Sequence, residues 1–211
     1  MDLSPILLII VNFIAFFLAL AVHEFSHALI AYYYGDRTAQ SAGRLTLNPL
    51  AHIDLFGTLI LPLFLILSNS GIVFGWAKPV PVNYYNLRDQ KWGPALVSLA
   101  GPASNFIFGV VCIIILNILK VFTALAATNL LINFLVLLII VNLVLMIFNL
   151  IPIPPLDGSK ILFAILPDKY MNFKIWLEQY GIIILLALIF FGSGLLDIIF
   201  AFFFSLIARF I

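Results

Sequence analysis

The sequence predicts an all-α polytopic membrane protein, with about five to six transmembrane helices, one re-entrant segment and a short extended, β-like segment. Three observations predict it. Of the 211 residues, 64% are hydrophobic and only 9% are charged, where a soluble domain carries about 25% charged residues. The apolar residues gather into runs long enough to cross a bilayer, the first from Leu3 to Tyr34. Glycine and proline clusters such as Gly192-Ser193-Gly194 punctuate those runs. Residues 1–211 read as one integral membrane domain, with a core over about 3–168 and a C-terminal helical hairpin over about 175–211.

Taken in order, the Leu3–Tyr34 run would reach roughly 48 Å as a helix, more than the bilayer core needs, so it must tilt or project. Gly35-Asp36-Arg37 stops it. Residues 36–54 are polar. Leu55 to Leu67 is apolar but short for a span, and a turn is expected at Ser68 to Gly71. Gly75 to Val82 carries alternating prolines that forbid helix and fit an extended segment. Spans follow at Pro94–Leu119 and Thr128–Ile151, then a short helix near Ser159–Leu166, then a hairpin of Ile175–Phe191 and Leu195–Ile211.

Composition also excludes. A net charge of +1 gives no footprint for nucleic acid, and the single Cys112 allows neither an internal disulfide nor redox chemistry. Ala19-Leu20-Ala21 looks like a signal-peptidase site, but no basic region precedes it and the apolar run continues past it.

The basic residues set the topology. If Leu55–Leu67 dips in and returns, Arg37, Arg44, Lys78, Arg88, Lys91, Lys160, Lys169, Lys174 and Arg209 share one side and only Lys120 faces the other. The positive-inside rule favours that arrangement over six full crossings. It puts the N-terminus outside and the C-terminus in the cytoplasm. Re-entrant backbone is tolerated only beside protein or water, so the 55–67 segment should line a cavity.

Within the first run stands His23-Glu24-Phe25-Ser26-His27. Ionisable side chains are costly at membrane depth and mark function there. Residues four apart share a helix face, so the two imidazoles can hold one Zn2+, one ion per chain. Glu24 can then take a proton from a zinc-activated water. The competing reading is a pair of structural histidines hydrogen-bonded between helices. Catalytic zinc usually has a third protein ligand. The extended pattern HExxHxxGxxH is absent, since Ile30 and Tyr33 occupy its glycine and last histidine positions. His52, Asp54, Asp157, Glu178 and Asp197 are the candidates. Asp157 follows a proline-rich break on the same side as His23 and His27, but it could equally cap the helix near Ser159.

His23-Glu24-Phe25-Ser26-His27 together with Asn149-Leu150-Ile151-Pro152-Ile153-Pro154-Pro155-Leu156-Asp157-Gly158 resembles the two signatures of the site-2 protease family of intramembrane zinc metalloproteases. The NPLxHID segment, GWAKPVPV and GPASN also resemble its compact branch without PDZ or CBS domains. The resemblance runs from about residue 20 to 165. It implies that Asp157 is the third zinc ligand and that Asn149 lies near the site and steadies the transition state. It implies cleavage of membrane-anchored proteins in or next to their transmembrane segments. Such substrates include transcription-factor precursors and anti-sigma factors. The charge topology, in turn, expects the active site nearer the cytoplasmic face of the cell membrane. A helical substrate must unwind, and Lys78–Val82 is the segment expected to receive it as an added strand. The partners expected are that substrate and the lipid bilayer, with room left for a homo-oligomer. Two rivals from other classes remain: a metal or proton transporter, and an inactive membrane scaffold.

Overall fold

The computed structural model describes residues 5–68, 78–122 and 129–210. Among the described residues the secondary structure is helical and no β-strand forms. The helices are α1 (Pro5–Tyr33), α2 (Thr38–Ser41), α3 (Leu61–Leu67), α4 (Gly93–Phe122), α5 (Leu130–Asn149), α6 (Asp157–Ile165), α7 (Met171–Phe191) and α8 (Ser193–Ile207). A π-helical turn over Leu55–Ile60 runs directly into α3.

Four helices are long and apolar enough to cross a membrane: Ile9–Tyr33, Gly93–Phe122, Leu130–Asn149 and Asp168–Phe191. At most 39% of any of these apolar stretches is buried inside the protein. On α4, Ile107, Ile114 and Ile118 stand more than half exposed. Surfaces this apolar are the lipid-facing sides of a multi-pass membrane protein. Leu55–Leu67 is continuous helix of about 20 Å, short of the ~30 Å hydrocarbon core. The chain's expected return from it, and the turn expected at 68–71 beyond Ser68, fall on residues 69–77, outside the described residues. So does the Gly75–Ala77 part of the extended stretch.

At the centre is α4, packed against α1, α5 and α6. Helices in lipid gain nothing from squeezing out water, so they associate through close packing at small residues. The first half of α1 follows this rule. Ala15 is fully buried in a cluster with Cys112 and Leu116 of α4 and Ile132, Leu135, Leu138 and Ile139 of α5. The second half of α1 is covered by α2, by the 80–87 loop and by the start of α4. Ala28 packs with Ala39 and Val80, and Ala31 with Leu87 and Val97.

The end of α1 is built by Gly35. Its φ of +107° is the left-handed conformation that closes a helix with two crossed bonds. Gly35 N–H donates to Tyr32 O at 3.0 Å, and Asp36 N–H donates to Ala31 O at 2.9 Å. Asp36, fully buried, then accepts from Thr38 N, Asn83 N and Asn86 Nδ2. That bond set ties the C-terminus of α1 to the loop that follows the extended segment.

One sequence expectation needs correcting. The helix expected near Ser159–Leu166 runs from Asp157 to Ile165, so Asp157 is its first helical residue rather than its cap. Leu156 holds the cap position, with no side-chain cap bond. The Asp157 carboxylate is therefore free to point elsewhere.

Candidate metal centre

Three side chains from two helices converge on one point. His23 and His27 lie one turn apart on α1, and Asp157 opens α6. His23 Nε2 and His27 Nε2 are 3.0 Å apart. Asp157 Oδ2 lies 3.2 Å from the first and 3.3 Å from the second. The side chains are 5%, 12% and 16% exposed, in that order. Among the described residues this is the one group of three or more His, Cys, Asp or Glu whose ligand atoms converge.

The back of each ring decides what the front can do. His27 Nδ1 lies 2.7 Å from Val97 O, a carbonyl that can only accept. His23 Nδ1 lies 2.6 Å from Asn105 Oδ1. Both Nδ1 atoms therefore carry protons, which leaves lone pairs on both Nε2 atoms. Two imidazole lone pairs and a carboxylate oxygen then face one another across about 3 Å. Asp157 Oδ2 is buried with no hydrogen-bond partner. Three acceptors do not gather in a low-dielectric site without a cation. Tetrahedral zinc with bonds of about 2.0–2.1 Å to nitrogen and oxygen separates its ligand atoms by roughly 3.3 Å. The observed edges of 3.0, 3.2 and 3.3 Å fit that ion.

Gly101 makes room for the arrangement. A Cβ there would sit 2.5 Å from Cε1 of both imidazoles. Val97, Gly101 and Asn105 are four residues apart along α4, so one stripe supplies an acceptor, a gap and a second acceptor. Gly158 has a related task at α6: a Cβ there would strike the carbonyls of Leu150 and Ile151.

Glu24 takes no part in the triad. Its Oε2 accepts from Val80 N–H at 2.8 Å. The extended segment thus meets the site at the residue expected to act as base. Lys78 N–H donates to His52 O at 3.0 Å. Arg44 braces the same stretch, donating to the carbonyls of Ala51, Lys78 and Pro79. The sequence expected the prolines at 79 and 81 to leave one edge free. The N–H groups of 78 and 80 and the carbonyls of 78 and 79 are already engaged, so what is left for a partner strand begins at the Val80 carbonyl.

The remaining candidates are placed elsewhere. His52 is fully buried, with Nε2 3.0 Å from Thr46 O. Asp54 caps the π-helical turn through Gly57 N–H at 2.7 Å. Glu178 pairs with Lys160 at 2.8 Å, and Asp197 is exposed. Asn149 ends α5 and donates Nδ2 to Leu145 O at 3.0 Å. Sequence reasoning assigned no role to Asn105 or to Asn142, both fully buried in membrane-crossing helices. Their signal was visible, since an amide at membrane depth needs partners. Val80 N–H was not visible, because a backbone donor leaves no mark in the sequence.

Comparison with known proteins agrees with this geometry. The profile of peptidase family M50 matches residues 115–190. "Putative zinc metalloprotease YwhC" of Bacillus subtilis (strain 168) is 40% identical over 178 residues, covering 83% of this chain and 78% of the relative. "Putative zinc metalloprotease Rip2" of Mycolicibacterium smegmatis is 35% identical over 175 residues, covering 82% of this chain and 63% of that one. The protein of the same name from Mycobacterium tuberculosis (H37Rv) is 28% identical over 172 residues, covering 81% and 62%. The chain thus spans less than two thirds of each of these Rip2 proteins. No solved structure matches. An identity of 40% across most of both chains, joined to a cradle shaped for zinc, sets aside the transporter and the scaffold. This chain belongs to peptidase family M50, the site-2 protease family, and is a zinc metalloendopeptidase.

Proposed function

We propose that the protein hydrolyses peptide bonds in or next to transmembrane segments of membrane-anchored proteins, with Glu24 as the general base. The observation that supports it best is the convergence of His23 Nε2, His27 Nε2 and Asp157 Oδ2 beside a glutamate that is not part of the set. Zinc held by His23, His27 and Asp157 would supply Lewis acidity, lowering the pKa of water and polarising a carbonyl. Glu24 takes the proton of the attacking water and later passes it to the leaving amine. Val80 N–H holds one carboxylate oxygen of Glu24 at 2.8 Å, which fixes its direction and leaves the other oxygen for the proton. Asn149 closes α5 seven residues before the loop ends at Leu156. Its side-chain Nδ2, which here donates to Leu145 O at 3.0 Å, is the donor assigned to steadying the substrate carbonyl as charge develops. Within Lys78–Val82, the carbonyls from Val80 onward are the surface on which an unwound substrate would hang its own N–H groups, since Arg44 holds those of Lys78 and Pro79.

The test is Glu24→Gln, which keeps the shape of the side chain and removes the base. Cleavage of a single-span substrate in proteoliposomes should fall about 10²–10⁴-fold, with zinc content unchanged. Wild-type rates in the variant would refute the mechanism. The active site is proposed to lie nearer the cytoplasmic face of the cell membrane, from the distribution of lysine and arginine. Cysteines placed singly in 36–54 and 78–92 of a Cys112→Ser protein should label from the same, cytoplasmic side. Labelling of the two loops from opposite sides would overturn it.

A further inference from the structure

We propose that Asn105 and Asn142 are positioning residues for the metal. They form an amide relay of fixed sense that locks His23 with its proton on Nδ1 and its lone pair on Nε2. The inference deepens the metal-centre reading and rests on it. The relay can be oriented atom by atom. Asn105 Nδ2 lies 3.1 Å from Ala19 O, and a carbonyl can only accept, so the amide nitrogen must face it. The same nitrogen donates to Asn142 Oδ1 at 2.8 Å. Asn142 is held in turn by Leu138 O, 2.8 Å from its Nδ2. A backbone carbonyl thus anchors each amide, and neither can flip without setting its amide oxygen against a carbonyl oxygen. What remains to face His23 Nδ1 is Asn105 Oδ1, at 2.6 Å, an acceptor. The ring is left one tautomer.

The arrangement joins three helices. Ala19 and His23 belong to α1, Asn105 to α4, and Leu138 and Asn142 to α5. Both amides are fully buried. Buried amides persist only where hydrogen-bonded, so each link of the relay holds the others in place. His27 obtains the same tautomer from a backbone carbonyl, Val97 O, which no side-chain substitution removes. The side-chain dependence therefore falls on His23 alone. Groups behind a ligating imidazole commonly carry a 10–100-fold share of metal affinity.

A merely structural amide pair would glue α4 to α5 and do nothing more. The two roles rank variants in opposite orders. Asn105→Leu suits an apolar interior but offers His23 no acceptor. Asn105→Asp keeps the acceptor and loses both donations. The proposal expects Asn105→Leu to weaken zinc binding about 10–100-fold, measured by chelator competition in detergent. Asn105→Asp should stay closer to wild type, and Asn142→Leu should show the smaller loss, because Ala19 O still holds Asn105. A spectroscopic readout needs neither metal nor substrate. The chain has three histidines, so ¹⁵N spectra of the metal-free protein resolve each ring. His23 should be protonated on Nδ1 in the wild type and become a mixture of tautomers in Asn105→Leu. Where Leu is not accommodated, Asn105→Ala carries the same readings, and where Asp is not, the spectrum decides alone. An acceptor-free variant that binds zinc as the wild type does, or keeps His23 protonated on Nδ1, would overturn the relay. Wild-type protein that takes up no zinc would instead remove the metal centre itself.

Discussion

Two aspartates at helix boundaries end up inside this protein, and they face opposite company. Asp36 follows α1. Its carboxylate is ringed by donors: Thr38 N–H at 3.1 Å, the Thr38 hydroxyl, Asn83 N–H at 2.8 Å and Asn86 Nδ2 at 2.9 Å. Burial pushes its pKa up, but the bonds from Thr38, Asn86 and Asn83 outweigh that and hold it below the ordinary carboxylate value. Asp157 opens α6 and meets acceptors, with the lone pairs of two imidazoles 3.2 and 3.3 Å from Oδ2. A carboxylate whose lone pairs are saturated by donors is a brace. One gathered with other acceptors is waiting for a cation. The polarity is the same in both, and only the sign of the neighbours separates scaffold from chemistry.

Breaking the second arrangement should have the largest effect. Asp157→Ala removes one of three ligands, so zinc per chain should fall well below one and peptide cleavage should drop to background. Elemental analysis alongside product formation measures both. Full retention of zinc would move the third ligand elsewhere, with His52 first to examine. A somewhat smaller loss is expected from Gly101→Ala. The new methyl group meets both rings at 2.5 Å. Overpacking of this kind costs about 1–3 kcal/mol, and here the strain falls on ligand geometry. Zinc affinity should drop more than thermal stability does. An Ala variant that binds zinc normally would show that α4 can move back without consequence.

The fold was legible from composition and punctuation because membrane helices announce themselves by length and apolarity. Gly35, the proline-rich 152–155 break and Gly192 each fall at an observed helix end. The two histidines were legible from their four-residue spacing. Asp157 was not fixed by the residues alone, because a cap and a ligand share the same place in a sequence. Only the two extra residues at the start of α6, which begins at Asp157 itself, separate them. Asn105 and Asn142 lay in plain view but needed a partner across helices, and one chain read linearly gives no pairing. The Leu55–Leu67 helix shows the opposite limit. Its length was correct from the sequence, yet apolarity alone does not say whether such a segment crosses or returns.

Disturbing the brace at Asp36 should unsettle the fold while sparing the metal. Asp36→Ala should cost about 1–3 kcal/mol, since several buried donors lose their acceptor. Zinc should still bind in the folded fraction. The pH dependence has a definite sign. The native pKa of Asp36 is lowered, so its stabilisation is fully present above the unfolded value of about 3.9 and disappears as pH falls through the lower native value. Thermal melts of the wild type should lose stability in that acid range, and Asp36→Ala should lose less. Equal acid sensitivity in both proteins would assign that limb to other carboxylates.

Glu178 provides the smallest effect and the sharpest control. It is a carboxylate with a cation already beside it, Lys160 Nζ at 2.8 Å. Lys160 is three residues from Asp157 on α6, so the pair lies close in sequence to the metal centre. The two side chains are 29% and 53% exposed, and pairs so open to water contribute about 0–1 kcal/mol. Lys160 also keeps other company, with its Nζ 5.5 Å from the Phe163 ring centre and 5.9 Å from that of Tyr84. Removing the acidic partner therefore leaves the lysine where it is. Glu178→Gln should melt within about 1 kcal/mol of wild type, bind zinc equally well and cleave at the same rate. A clear loss of zinc would mean that charge near α6 reaches the metal through Lys160. In that case the sign of the immediate neighbours would not be enough to tell a brace from a ligand.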